Sequence, residues 1–219
     1  MSVLFPPRLA PGDVIGVTAP SAGVPEHLHP RLELAIKNLK KRGYQVREGR
    51  CLRLQHKNKS ATKFSRVEEL MSYLTDPDIK AVMPPWGGDL AMELLDLIDF
   101  DLLSRSKPKW FVGFSDLSTL HFPLTMISGW ATLHGPNLMD LGAQKLDATT
   151  QAVWEILESN RGTVIHNYLD ALKAAFENIA VPVLYDVDIG HIPPQISLVN
   201  GADATVFFAE NGSWVTQQL

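Results

Sequence analysis

The segment Lys109-Trp110-Phe111-Val112-Gly113-Phe114-Ser115-Asp116-Leu117-Ser118-Thr119-Leu120 joins an apolar run to a stretch with helical spacing. The apolar run ends at Phe114, and a single serine follows it where a helix is expected to begin. A sharp turn from a buried strand into a helix is how a nucleophilic serine is usually presented. Serine is also a common N-cap, so the spacing alone leaves Ser115 open between a nucleophile and a cap.

Alternating strands and helices flank this segment. The residue pattern predicts strands over residues 13–20, 44–47 and 79–83, and helices over residues 29–42, 67–74, 90–98, 117–127 and 149–157. Such alternation is typical of a parallel sheet covered by helices. We therefore predict an α/β fold, with an open, mostly parallel sheet and flanking helices in an N-terminal domain of residues 1–166.

The remaining residues, 167–219, have a different pattern. We expect a helix over residues 169–179, a strand over 181–187, a loop over 190–194 and short strands over 204–209 and 213–215. About fifty residues are too few for a secure independent core. We therefore expect a small, truncated α/β C-terminal part that packs on the first domain or is the remnant of a larger one.

Composition excludes several classes of protein. A net charge of -4 and a pI near 6.0 argue against a nucleic-acid-binding surface. The single Cys51 excludes an intramolecular disulfide and a cysteine-built metal site, and the histidines show no ligand spacing. We therefore expect no metal and no cofactor. No leader or membrane-spanning pattern is visible, so the expected location is the cytoplasm.

The turns after two predicted strands carry the residue types of a binding site. Ligands of open α/β sheets bind beyond the carboxyl ends of the strands. Trp86, Gly87 and Gly88 follow one strand, and Ser115 follows another, so these residues are expected to converge. The first strand is followed by Pro20-Ser21-Ala22-Gly23 instead of G-x-G-x-x-G, which disfavours a dinucleotide-binding fold.

Motifs in a consistent order resemble the LD-carboxypeptidase family of serine peptidases, which includes the microcin C immunity peptidases. The matching segments cover nearly the whole chain and are residues 9–22, 66–78, 86–88, 113–116, 134–136, 182–185 and 190–191. The resemblance implies a Ser-Glu-His peptidase that hydrolyses amides at L-to-D centres. Its type substrate is the terminal D-alanine of cytoplasmic murein tetrapeptides.

The resemblance assigns roles by position. It makes Ser115 the nucleophile and His191 the general base, a pairing that serine chemistry requires because the free hydroxyl is a weak nucleophile. The backbone N–H groups of Asp116 and of the Gly87–Gly88 turn would form the oxyanion hole.

Further expectations concern the substrate and partners. Trp86 and His134 are candidate substrate-binding residues, and the substrate would be a small peptide or a peptidyl-nucleotide. Members of the family form dimers, so the resemblance implies a homodimer. His121 lies nearly two helical turns beyond Ser115, too far to reach its Oγ easily.

The third triad member is missing from this pattern. The family places a glutamate on an apolar strand that should fall between Ile165 and Pro182, but after Asn167 the sequence continues directly into the expected helix. Nearby acids that we interpret as surface charges are Glu177, Asp186 and Asp188. We therefore expect impaired hydrolysis. The alternatives are a microcin C-type aminoacyl-nucleotide amide hydrolase and a non-catalytic binding remnant of the family.

Overall fold

A computed structural model describes residues 3–160, 164–169, 197–209 and 212–218 of the 219-residue chain. Apart from Leu169, the helix expected over residues 169–179 lies outside these ranges, as do the strand expected over 181–187 and the loop expected over 190–194. So do His191 and the three acids at positions 177, 186 and 188.

The strands in the described ranges are short in the first part of the chain and longer near its end. They are β1 (Val14–Val17), β2 (Gln45–Glu48), β3 (Ile79–Val82), β4 (Trp110–Gly113), β5 (Thr132–His134), β6 (Val164–Leu169), β7 (Leu198–Asn200), β8 (Asp203–Ala209) and β9 (Gly212–Gln218).

Helices alternate with the first five strands. The α-helices are α1 (His29–Lys41), α2 (Lys63–Thr75), α3 (Phe100–Ser104), α4 (Ser118–Met126), α5 (Ala148–Gln151) and α6 (Val153–Leu157). Four 3₁₀ helices are described: Glu26–Leu28, Ala91–Leu97, Ser115–Leu117 and Leu138–Leu141. Within the described ranges, no helix combines the length and the apolar character needed to cross a membrane.

The larger sheet has six strands in the order β2-β1-β3-β4-β5-β7. Strands β1 to β5 run parallel, and β7 is antiparallel to β5. The register sets Gly113 of β4 beside His134 of β5, so the loops that follow these two strands leave the same edge of the sheet. The predicted mostly parallel α/β sheet with flanking helices is confirmed.

Side chains of the larger sheet alternate between two apolar layers. Trp110 and Val112 join a cluster that includes buried residues of α1 and α6. Phe111 joins the opposite cluster, with buried residues of α2, α3 and α4. Because successive strand residues point to opposite faces, a nearly continuous apolar strand is what a sheet covered on both sides requires.

The second sheet is small and antiparallel, in the order β6-β9-β8. Strand β6 crosses residue 166, where the sequence analysis set a domain boundary, and β7 adds to the larger sheet from beyond it. The boundary itself stays a prediction. The strands expected over 204–209 and 213–215 are present and longer than expected.

Two predicted helices differ in detail from the observed ones. Residues 91–97 form a 3₁₀ helix in which Ala91 and Leu94 are buried. Side chains three positions apart align in a 3₁₀ helix, so the apolar spacing fits this geometry as well as an α-helix. The predicted helix over 149–157 is two short helices, α5 and α6, separated at Ala152.

Candidate active site

Loops from four neighbouring parallel strands meet at the carboxyl edge of the larger sheet. Ser21 follows β1, Gly87 follows β3, Ser115 follows β4 and His134 ends β5. The strand order reverses direction between β1 and β3, and ligands of open α/β sheets bind at such a switch point. The expected convergence of Gly87 with Ser115 is therefore built into the topology.

Ser115 has an unusual backbone conformation. Its φ is +68°, and the other described non-glycine residues with positive φ are Lys57 and Asn58. This left-handed region is sparsely populated by residues with a side chain and is found at functional sites. The N-cap position of the following 3₁₀ helix belongs to Phe114, one residue earlier, so Ser115 itself begins the helix. The observed turn therefore resembles a nucleophile turn more closely than a capping serine.

The backbone on the N-terminal side of Ser115 is fixed by two side chains. The Nε2–H of His121 donates to the Gly113 carbonyl at 3.0 Å, since a carbonyl can only accept. The Phe114 N–H donates to Asn137 Oδ1 at 3.2 Å. Burial, together with the nearby His134, lowers the pKa of His121 to about 3. His121 is thus a neutral support of the turn, consistent with the expectation that it does not serve Ser115 directly.

The Gly87–Gly88 turn lies directly against Ser115. A Cβ placed on Gly87 would lie 2.8 Å from Ser115 Cβ, 3.1 Å from Ser115 Oγ and 2.7 Å from Asp116 Oδ1. Gly88 has a φ of +155°, and a Cβ there would lie 2.5 Å from Ser21 Oγ. Only glycines allow these two backbones to approach so closely.

A buried arginine supports the same loops from within the protein. Arg66 of α2 is fully buried, and its Nη1 donates to the carbonyls of Pro20 at 2.8 Å and of Leu90 at 2.9 Å. It also donates to the Ala61 carbonyl and pairs with Glu93. Arg66 therefore joins the loop after β1 to the segment after the glycine turn. In the sequence, Arg66 is only the first residue of the family-like segment 66–78, and no role for it was predicted.

The two candidate substrate-binding residues lie in different surroundings. Trp86 is half-buried against the apolar cluster of α1, and its Nε1 is buried without a hydrogen-bond partner in the described part of the chain. The His134 ring lies 6.4 Å from the Phe114 ring, with Nδ1 at 3.5 Å from Ser118 Oγ. Burial lowers the pKa of His134. His134 therefore contacts Ser118, three residues beyond the nucleophile candidate in sequence, and both binding roles stay predictions.

A cavity of about 660 Å³ runs along α4, beginning one helical turn beyond Ser115. The described residues that line it are Val3, Ser118, His121, Phe122, Thr125, Met126, Gly129, His134, Asn200 and Gly201. His134 is among them and Ser115 is not, so this cavity adjoins the candidate nucleophile without including it.

The described part of the site offers a serine, backbone N–H groups and glycines. It contains no group of three or more His, Cys, Asp or Glu side chains that would hold a metal ion. The first N–H groups of a helix have no carbonyl partner within that helix, and Asp116 occupies this position after Ser115. Such groups suit a developing negative charge, so the arrangement fits acyl transfer at Ser115.

Residues 15–135 match the family model described as the LD-carboxypeptidase N-terminal domain, and residues 145–206 match the LD-carboxypeptidase C-terminal domain. The first match alone covers more than half of the chain. The chain belongs to the LD-carboxypeptidase family. The family resemblance drawn from the ordered motifs is confirmed.

Two curated relatives illustrate the range of names in the LD-carboxypeptidase family. The probable murein peptide carboxypeptidase of Bacillus subtilis is 34% identical over 153 residues, covering 69% of this chain and 47% of the relative. The microcin C7 self-immunity protein MccF of Escherichia coli is 29% identical over 131 residues, covering 60% and 38%. The chain thus spans less than half the length of these relatives.

Solved structures agree with the fold. A muramoyltetrapeptide carboxypeptidase from Oxalobacter formigenes superposes with a TM-score of 0.74 at 18% identity, covering 94% of this chain and 99% of that chain. A structure of MccF in complex with aspartyl sulfamoyl adenosine superposes with a TM-score of 0.70 at 22% identity, covering 92% and 59%. At these identities the likeness concerns the fold alone.

Proposed function

We propose that this chain is a serine carboxypeptidase that hydrolyses the amide bond to a terminal D-amino acid in murein peptides. The observation that carries the proposal is the Ser115 turn, with φ at +68° and the Gly87 backbone in contact with the serine side chain. Membership of the LD-carboxypeptidase family and the name of the Bacillus subtilis relative support this substrate class.

In the proposed reaction, Ser115 Oγ attacks the scissile carbonyl carbon and its proton passes to His191. The N–H groups of Asp116 and of the Gly87–Gly88 turn stabilise the oxyanion. His191 then gives the proton to the leaving amine of the D-amino acid. Water, activated by the same histidine, hydrolyses the acyl-enzyme.

The rate is expected to be low. The family pattern places the triad glutamate in a stretch that this sequence lacks, and loss of the orienting carboxylate lowers kcat by about 10⁴-fold in the serine protease case. The assay therefore needs a high enzyme concentration and long incubation.

The test is release of D-alanine from a tetrapeptide ending in L-Lys-D-Ala or diaminopimelate-D-Ala. We expect slow release by the wild-type chain and none by Ser115→Ala. Ser104→Ala is the matched control, because Ser104 is exposed on α3, away from the site. Equal release by wild type and Ser115→Ala would contradict the proposal.

A second candidate function is hydrolysis of an aminoacyl-nucleotide amide of the microcin C type. The MccF relative and the nucleotide analogue in the solved MccF complex favour it. An aminoacyl sulfamoyl adenosine and the tetrapeptide, supplied separately, distinguish the two substrates. Release of the free amino acid from the adenosine compound, lost in Ser115→Ala, would favour the nucleotide, and release of D-alanine alone would favour the murein peptide.

The third candidate is a non-catalytic binding remnant of the family. A fluorophosphonate probe distinguishes it from an enzyme, because labelling requires an activated serine. Absence of labelling at Ser115, with binding of the tetrapeptide retained, would favour the remnant.

A further inference from the structure

The side chains of Ser21 and Asp116 join three loops at the carboxyl edge of the sheet. Ser21 Oγ donates to Asp116 Oδ2 at 2.6 Å, although the two residues are 95 positions apart. The same Ser21 oxygen accepts the Leu90 N–H at 3.2 Å, and Asp116 Oδ2 accepts the Ala91 N–H at 2.9 Å. These four residues are called the Ser21–Asp116 clamp.

The glycine turn is tied to the same loop. The Ala22 N–H donates to the Gly87 carbonyl at 3.3 Å. A trans peptide directs its N–H opposite to its carbonyl, so this bond turns the Gly88 N–H away from the loop after β1. The clamp then fixes residues 90 and 91, three positions beyond the glycines. The segment from Gly87 to Ala91 is thus held at both ends.

The clamp residues Ser21 and Asp116 lie in buried surroundings that offer few other hydrogen-bond partners. Ser21 is fully buried, and Asp116 Oδ1 is buried without a hydrogen-bond partner in the described residues. This oxygen faces Gly87, since a Cβ on Gly87 would lie 2.7 Å from it. The carboxylate therefore depends on its two bonds at Oδ2. Hydrogen bonds to a charged group are stronger than neutral ones, so these two contribute more than an ordinary loop contact.

We propose that the Ser21 and Asp116 side chains are positioning residues that hold the Gly87–Ala91 segment against the Ser115 turn. The catalytic half of this proposal rests on the proposed function, in which the Gly87–Gly88 turn binds the oxyanion. The structural half concerns how firmly the Gly87–Ala91 segment is held, which is measured independently of turnover.

The test measures amide hydrogen exchange over residues 84–98 in Ser21→Ala and Asp116→Ala, with Asp96→Asn as control. Asp96 is exposed on the neighbouring 3₁₀ helix, so its substitution removes a charge but no clamp bond. We expect exchange in the 87–91 segment to rise roughly tenfold or more in both variants and to stay unchanged in the control. The double variant should exchange faster than either single one, because Ser21→Ala removes the acceptor of the Leu90 N–H and Asp116→Ala removes the acceptor of the Ala91 N–H.

Turnover supplies the second readout. If the wild-type chain releases D-alanine, Ser21→Ala should lower kcat at least tenfold with KM within about twofold, because the oxyanion contact forms only in the transition state. Ser21→Ala removes one hydroxyl and is the variant to use if Asp116→Ala does not fold.

Two results would overturn the proposed positioning role. The first is that residues 87–91 exchange in Ser21→Ala at the wild-type rate. The second is that the wild-type chain is active and Ser21→Ala has the same kcat. Raised exchange together with an inactive wild type would contradict only the proposed function. Raised exchange with a lower kcat supports both.

Discussion

The two sheets differ in how their strands are covered. All four residues of β4 in the six-stranded sheet are buried. In the three-stranded sheet, Asp203, Ala204 and Thr205 of β8 are exposed, and Phe207 is 43% exposed. Helices cover both faces of the parallel strands, whereas an antiparallel strand tolerates contact with water. The candidate nucleophile turn thus lies on the rigidly packed sheet.

The side chain of Gln217 joins the three-stranded sheet to the last strand of the six-stranded sheet. Gln217 of β9 is buried, and its Oε1 accepts the Val199 N–H at 2.7 Å. Its Nε2 donates to the Ser197 carbonyl at 2.9 Å. Strand β7 is the last strand of its sheet, so the Gln217 amide occupies the place of a further strand. The comparison predicts large effects inside the larger sheet and local effects at this contact.

The largest expected effect comes from Arg66→Met. This change leaves three carbonyls without their buried donor and Glu93 without its partner, which should lower the free energy of unfolding by about 3–5 kcal/mol. Urea denaturation measures the change. Arg50→Met is the control, because the Arg50 side chain is 76% exposed and its ion pairs with Glu68 and, at 3.9 Å, with Glu69 should together contribute less than about 1 kcal/mol. Equal losses in the two variants would contradict the assigned role of Arg66.

A second effect inside the larger sheet depends on pH. His121 has a folded-state pKa near 3, below its unfolded value, so the unfolded state binds the proton first as pH falls. The contribution of neutral His121 to the free energy of unfolding is therefore complete above about pH 6.5 and declines as the pH falls toward 3. At pH 5 the loss amounts to about 2 kcal/mol.

His121→Gln removes this titration and keeps an N–H donor for the Gly113 carbonyl. Between pH 8 and 5 the variant should therefore lose less stability than the wild type, by about 2 kcal/mol. His27→Gln is the control, since His27 is exposed. Chemical denaturation at several pH values decides the matter, and parallel curves for wild type and His121→Gln would refute the prediction.

Gln217→Ala tests the contact between the sheets. The Val199 N–H and the Ser197 carbonyl would lose their partner in a buried setting, which should reduce stability by about 1–2 kcal/mol. We expect hydrogen exchange to become faster in β7 and β9 and to stay unchanged in β4. Gln218→Ala, at an exposed position on the same strand, is the matched control. Faster exchange in β4 would mean that the two sheets unfold together.

The smallest expected effect concerns the strain at Ser115. Glycine adopts a φ of +68° without strain, so Ser115→Gly should be more stable than Ser115→Ala by about 0.5–1 kcal/mol. Both variants lack the hydroxyl, so their difference isolates the backbone. Thermal unfolding measures it. If Ser115→Gly were less stable than Ser115→Ala, the assignment of backbone strain to residue 115 would be wrong.

Local patterns predicted much of the larger sheet. The apolar run before Ser115, and the periodic apolar patterns that flank it, predicted the strands and their alternation with helices. The helix predicted over residues 90–98 is the 3₁₀ helix Ala91–Leu97, and the pattern did not give its type because Ala91 and Leu94 satisfy both spacings. Patterns of this kind report which face a residue buries, but not the hydrogen-bonding ladder of its backbone.

The site was predicted in part. Ser115, Gly87 and Gly88 were singled out from the turns that follow strands, and the structure brings Gly87 into contact with Ser115. The side-chain roles of Ser21 and Arg66 were missed. A buried arginine in a helix pattern looks like a surface cation, and no sequence spacing connects Ser21 with Asp116.

The residue pattern alone is enough to give the alternating elements, the family and the serine that stands where a strand becomes a helix. These features follow from periodicity and from motifs that are local in the chain. The contact between the loop after β1 and the turn after β3, in contrast, is evident only in the folded protein. That contact depends on the order of strands in the sheet, which is set by packing on both faces. The same packing makes Gly87 necessary, His121 neutral and the Ser21–Asp116 clamp possible.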